Sequence, residues 1–172
     1  MLVSGLLGYS PKLTFAFHDE IELEERSLSL FNPRTKESFE GLYFSNGSYI
    51  ADAMTEINHI MRDTRVNVVK PIDPHLLDLI SAISIKLKSK EPFHVISGYR
   101  SPKTNNLLRK RGKGAAKNSY HLKGQAVDIR LPGHRAAVLR RTASVLKKGG
   151  VGFYPKSKFV HIDVGPVRYW RG

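Results

Sequence analysis

The chain has 172 residues, 41% hydrophobic and 25% charged, which suits one domain with an apolar core and is too apolar for a disordered chain. It has no cysteine, which excludes a disulfide framework and any thiolate metal site, and no run of about 18 apolar residues that could cross a bilayer as a helix. A formal net charge of +13 predicts attraction to a polyanion: nucleic acid, an anionic membrane face or an acidic wall polymer.

Residues 1–26 read as an N-terminal segment with one short strand at Thr14–Phe17. The apolar start, Met1–Ser10, is like the tail of a signal peptide without its basic opening, so the segment is either the remnant of an export signal, the favoured expectation, or a loose N-terminus. Ser27–Phe31 alternates with period two and Phe39–Phe44 offers a second extended run. The turn residues Asn32–Lys36 between them predict a hairpin. Ile50, Met54, Ile57 and Met61 recur at helical spacing, with the methionines as core residues. Asp73-Pro74 is an N-cap followed by proline at the first helical position. It opens a helix marked by Leu76, Leu77, Ile80, Ile83 and Leu87 that runs to about Ser89.

Phe93–Ser97 is a compact strand, and Ser101-Pro102 repeats the cap signature for a short helix carrying Leu107 and Leu108. Arg109–Lys117 holds five basic residues and two glycines, a flexible basic loop suited to solvent or to steering an anionic substrate. Ala126–Leu131 reads as a strand. Ala136, Leu139, Ala143 and Leu146 define a helix closed by Lys147-Lys148-Gly149. Gly150–Tyr154 and Lys158–Val164 form a hairpin around Pro155-Lys-Ser. The sum is one α+β domain over residues 27–172, a small antiparallel sheet flanked by helices.

Two of the seven histidines have informative surroundings. His121 precedes Asp128 across Gly124, which permits a tight turn so that both side chains can face one point. His161 lies in Phe159-Val-His-Ile-Asp163, where alternation puts His161 and Asp163 on one strand face. Burying an imidazole with carboxylates is costly unless something compensates them. A zinc ion would, and His121, Asp128 and His161 would make a three-ligand set that leaves a position open for water. His-x6-Asp is a common spacing, however, and by itself does not separate a metal site from structural histidines.

Taken together, Ser97-Gly-Tyr-Arg-Ser-Pro, Ser119-x-His121-x-x-Gly124-x-Ala126-x-Asp128 and Gly149-Gly-Val-Gly-x-Tyr-Pro…Phe-Val-His161 resemble the M15 family of zinc peptidases. The likeness is to its bacterial YcbK-like branch of murein endopeptidases, and it runs from about Ser27 through Arg62-Asp63, Ile72-Asp-Pro and Val167-Arg-Tyr-Trp170. The resemblance implies the α+β fold of D-alanyl-D-alanine peptidases and the hedgehog signalling domain, with one Zn2+ on His121, Asp128 and His161. It implies that Arg100 stabilises the oxyanion or orients substrate. Ser119, matching a substrate-contacting position, either touches substrate or caps its turn, and Tyr99 is taken as a second substrate contact.

Many M15 relatives carry a catalytic Glu or His two or three residues before the last zinc histidine. Here those positions are Phe159 and Lys158. Asp163 is the nearest carboxylate, either activating the zinc water or orienting a ligand imidazole.

The leading expectation is a periplasmic zinc peptidase that cuts crosslinks between peptidoglycan stem peptides. The alternative is a noncatalytic, zinc-containing wall-binding module, since fold alone does not make a peptidase. A specific nucleic-acid partner is not expected, because no recognition helix or aromatic RNA-binding platform is legible.

Overall fold

The computed structural model describes residues 25–112 and 115–172, built around an eight-stranded sheet of order β3-β2-β1-β4-β5-β7-β6-β8. The expected Thr14–Phe17 strand and the export-signal remnant lie outside these residues. Strands β1 (Glu25–Phe31) and β2 (Ser38–Ser45) form the expected antiparallel hairpin. The boundary expected at Ser27 therefore falls inside β1. Asn32 organises the turn, its Oδ1 accepting from the Arg34 and Thr35 amides.

The two-residue β3 (Ser48–Tyr49) then pairs with β2. Helix α1 (Ala51–Ile60) buries Ile57 and Ile60. Helix α2 (Pro74–Leu87) opens on Asp73, whose side chain accepts from the His75 amide, a cap worth about 1 kcal/mol. It fully buries Leu76, Leu77, Ile80 and Ile83 and stops at Leu87, because Lys88 turns left-handed.

Strand β4 (Phe93–Ser97) lies between β1 and β5. Helix α3 (Pro102–Lys110) has Ser101 as its cap, as expected, but buries Thr104 and Asn105 while Leu107 is exposed. The contacts holding this helix are polar: the Ser101 amide donates to Asp63, and Asn105 donates to the Ala116 carbonyl. Arg109 and Lys110, assigned from sequence to the basic loop, are its last turn. A 3-10 turn (Tyr120–Lys123) leads into β5 (Ala126–Arg130). Helix α4 (Ala136–Val145), β6 (Gly150–Tyr154) and β7 (Phe159–Asp163) follow as expected.

The last strand, β8 (Arg168–Arg171), runs parallel to β6. It was not legible because two arginines in four residues do not alternate with apolar residues. The sheet is thus larger than the sequence suggests and mixed, with parallel pairings at β1/β4 and β6/β8.

In β5 and β7 the two faces have different jobs. Val127, Ile129, Val160 and Ile162 join the apolar core that includes α1, α2 and α4. Asp128, His161 and Asp163 alternate with them and point to the opposite face.

Candidate metal centre

Strand pairing alone brings two of the three candidate ligands together, since Asp128 of β5 is the direct partner of His161 of β7. His121 arrives on the 3-10 turn, whose start is capped by Ser119 Oγ accepting from the His121 amide at 3.4 Å. The turn ends at Gly124, where φ is +71° and a Cβ would lie 2.3 Å from the Pro71 carbonyl oxygen. Both the left-handed backbone and the close approach require glycine here.

All three side chains are buried. His121 Nε2 lies 3.1 Å from His161 Nδ1 and 3.3 Å from Asp128 Oδ1, and His161 Nδ1 lies 2.9 Å from the same Oδ1. One face of a tetrahedron built on metal–ligand bonds of about 2.0–2.1 Å has edges of about 3.3 Å, close to this triangle.

The outer atoms fix the protonation pattern. His121 Nδ1 is 2.7 Å from the Gly98 carbonyl, which can only accept, so Nδ1 carries the proton and Nε2 a lone pair. His161 Nε2 is 2.9 Å from Asp163 Oδ2 and donates to it, leaving Nδ1 to face Asp128. With both outer protons committed, three ligand atoms converge on one point. That donor chemistry fits a divalent cation, and each outward hydrogen bond is of the kind that orients metal-bound histidines.

The charges agree. Burial chiefly lowers the pKa of His121 and keeps it neutral. Burial would raise Asp128, but His121, His161 and Arg100 hold it well below the usual carboxylate range. Burial opposes a charged His161, yet its hydrogen bonds to Asp128 and Asp163 outweigh this and raise its pKa, so without a cation Nδ1 holds a proton towards Asp128, the proton that a bound cation would replace. The spot attracts positive charge.

Arg100 lines the cleft and is paired through Nη2 with Asp128 Oδ2, while its Nε donates to Ser97 Oγ at 2.8 Å. Asp163 is wholly buried on the far side of the His161 ring from the triangle. Its Oδ1 accepts from the amides of Gly150 and Gly165 and from Arg168, and its Oδ2 accepts from Arg168 at 2.7 Å as well as from His161. Burial alone would raise its pKa, but these donors bring it to about 2. Tyr99 is buried in the apolar core and is not among the cleft-lining residues, whereas Ser119 is.

The cleft over the triangle has a volume of about 400 Å³ and an aromatic wall of Tyr120, Tyr154, Phe159 and Trp170. Among its described lining residues, Asp128 is the sole carboxylate. Three residues quoted for the resemblance carry roles that the sequence did not assign: the Gly98 carbonyl on His121, Asp63 holding the Ser101 amide next to Arg100, and Arg168 on Asp163. For Arg168 a signal existed. Gly150 and Gly152 alternate in a strand, which marks a place where another side chain crosses closely.

The family model Peptidase_M15_2, described as peptidoglycan L,D-endopeptidase MepK, matches residues 20–170. Peptidoglycan L,D-endopeptidase MepK of Escherichia coli (strain K12) is 46% identical over 145 residues, 84% of this chain and 80% of the relative. The probable peptidoglycan L,D-endopeptidase MepK of Haemophilus influenzae is 38% identical over 148 residues, 86% of this chain and 80% of that one. Among solved structures, the L-Ala D-Glu endopeptidase ChiX of Serratia marcescens matches 41% of this chain and 61% of its own, at 25% identity and a TM-score of 0.32. With the family model spanning most of its length and these two relatives covering over four-fifths of it, the chain belongs to the M15 peptidase family, in the branch this model describes.

Proposed function

We propose that the protein is a zinc-dependent peptidase that hydrolyses peptide crosslinks of bacterial peptidoglycan, holding one zinc ion on His121, Asp128 and His161. The observation that carries this reading is the convergence of three ligand atoms, one carboxylate oxygen and two imidazole nitrogens whose opposite N–H groups are committed elsewhere. Family membership supplies the reaction class. When bound there, zinc supplies a Lewis acid and lowers the pKa of water.

The chain's own residues do the positioning. The Gly98 carbonyl fixes the tautomer of His121, and Asp163 fixes that of His161. Asp163 is therefore assigned to support and not to base catalysis: every contact on its two oxygens is a donor, and it lies behind the imidazole, away from the cleft. Arg100 pins the second oxygen of Asp128 and stands on the cleft wall, where its charge can stabilise a developing oxyanion or orient substrate. Ser119 acts first as the cap of the His121 turn.

A net charge of +13 suits a wall polymer rich in carboxylates. That polymer lies outside the cytoplasmic membrane, so the catalytic domain, residues 27–172, works exported, in the periplasm.

The test is digestion of purified sacculi by the wild type and His161→Ala, with and without chelator. Crosslinked muropeptides should decrease only with the untreated wild type. Unchanged profiles in every arm, with zinc confirmed in the wild type, would leave a noncatalytic wall-binding module.

A further inference from the structure

We propose that the Tyr154 hydroxyl, held by Trp170, is a further catalytic group: a hydrogen-bond donor to the carbonyl oxygen of the scissile amide as charge develops there. The inference rests on the peptidase reading above and adds a residue to it.

Strand β8 lies parallel beside β6 with Trp170 in register with Gly152 and Arg168 with Gly150. Because β6 has glycine at both positions, these side chains reach across it to β7. A Cβ on Gly152 would lie 2.5 Å from the indole ring. The indole therefore rests 5.1 Å from the His161 ring, centroid to centroid. From there its Nε1–H donates to the Tyr154 hydroxyl at 3.0 Å.

An indole N–H can only donate, so the phenol oxygen is the acceptor and its own proton is left for another partner. Among the described residues Tyr154 has no protein acceptor for that proton. Its ring is fixed as well, stacked on Phe159 at 4.5 Å.

The other donors on the cleft wall are held differently. The Arg168 nitrogens Nη1 and Nη2 both bind Asp163, while Arg100 spends Nε and Nη2 on Ser97 and Asp128 and keeps Nη1 for the cleft. Tyr120 is held through its ring by Arg168 and Lys123, and among the described residues its oxygen has no hydrogen bond. Tyr154 thus adds to the Arg100 charge a neutral donor whose oxygen is held by Trp170 and whose ring is held by Phe159, the preorganisation that oxyanion stabilisation requires.

In the hydrolysis, the water oxygen bonds to the carbonyl carbon and the C=O π pair moves onto oxygen, which takes the phenolic hydrogen bond. The carbonyl then re-forms as the C–N bond breaks, and the amine leaves with a proton from the water. Tyr154 keeps its own proton throughout.

The experiment compares wild type, Tyr154→Phe, Trp170→Phe and the double variant on a purified crosslinked muropeptide dimer, with zinc content and Tm measured on each. Tyr154→Phe should lower kcat by about 100-fold, with KM, zinc content and Tm near wild type. Trp170→Phe should lower kcat less, and the double variant should be no slower than Tyr154→Phe, because Trp170 acts through the phenol. A readout independent of turnover exists because Trp170 is the single tryptophan: Tyr154→Phe should shift its fluorescence emission in metal-free protein.

A Tyr154→Phe kcat within about twofold of wild type overturns the proposal, as does a loss that tracks lost zinc, or additive effects in the double variant. A wild type inactive on both dimer and sacculi fails at the earlier step, the peptidase reading itself.

Discussion

Two polar clusters lie at different ends of the sheet, and each gathers side chains around an aspartate. At the β1–β3 end, Asp78 of α2 accepts from Tyr43 at 3.0 Å, from Tyr49 at 2.8 Å and from Arg26 at 2.6 Å. Every contact joins a donor to an acceptor, and the cluster is closed. In the metal centre Asp128 meets Arg100 on one oxygen only. Its other oxygen faces a nitrogen of each of two imidazoles whose opposite N–H groups are bonded elsewhere. Both clusters tie distant elements together, but only the second is left needing a cation. Structure is recognised by matched donors and acceptors, and a site by a mismatch that the fold goes to some length to maintain.

The largest expected break in this comparison is His161→Ala. Hydrolysis of sacculi should fall to background. Zinc at about 100 times its Kd should stabilise the wild type by about 2.7 kcal/mol in a thermal melt and leave the variant unchanged. Next in size is Asp163→Asn, which removes the charge behind His161 and loosens the ring's tautomer. Zinc affinity, measured by chelator competition, should drop by about 10–100-fold.

The grouping of His121, Asp128 and His161 was legible in the sequence because it depends on local rules: strand alternation around His161 and a glycine-ended turn between His121 and Asp128. The same rules placed the Asp73 and Ser101 caps and the β1–β2 hairpin. What was not legible depends on contacts between segments far apart in the chain. Asp163 looks like a candidate base in sequence because it shares a strand face with His161. Only the arrival of Arg168 and the Gly150 and Gly165 amides shows that its oxygens are already occupied. Strand β8 escaped for a related reason, since Arg168 and Trp170 find Asp163 and His161 on β7 across two glycines that carry no hydrophobic signal. Tyr99 was read as a substrate contact from its place beside Arg100, yet its ring enters the core while Arg100 lines the cleft.

The closed cluster should behave in the opposite way from the triangle. Asp78→Asn leaves Tyr43, Tyr49 and Arg26 with a weaker acceptor and should cost about 1–3 kcal/mol, roughly 2–12 °C in Tm for a domain of this size. Zinc affinity and the rate of muropeptide hydrolysis should not change. A shift in either would mean that the two ends of the sheet are coupled, and the distinction between a stabilising cluster and a functional one would fail.

The smallest effect concerns a third, more exposed network and is set by pH. Glu37 takes both Nη atoms of Arg62, at 2.7 and 3.0 Å, and the Thr35 hydroxyl at 2.7 Å. The Arg62 hydrogen bond leads in lowering its pKa from 4.5 to about 2. Since the folded value lies below the unfolded one, the unfolded chain binds a proton first as pH falls. The stabilisation is complete above about pH 4.5 and is lost as pH drops towards 2. Solvent around Glu37 keeps the amount under about 1 kcal/mol. Urea midpoints measured between pH 6 and 3 should therefore fall less steeply in Glu37→Gln than in the wild type. Arg62 adjoins Asp63, which holds the Ser101 amide beside Arg100. If acid loosening of Glu37 and Arg62 reached the metal centre through that step, zinc affinity at pH 6 would already differ in Glu37→Gln. Because Asp63 is held independently by the Ser101 and Arg65 amides, the affinity should instead match the wild type.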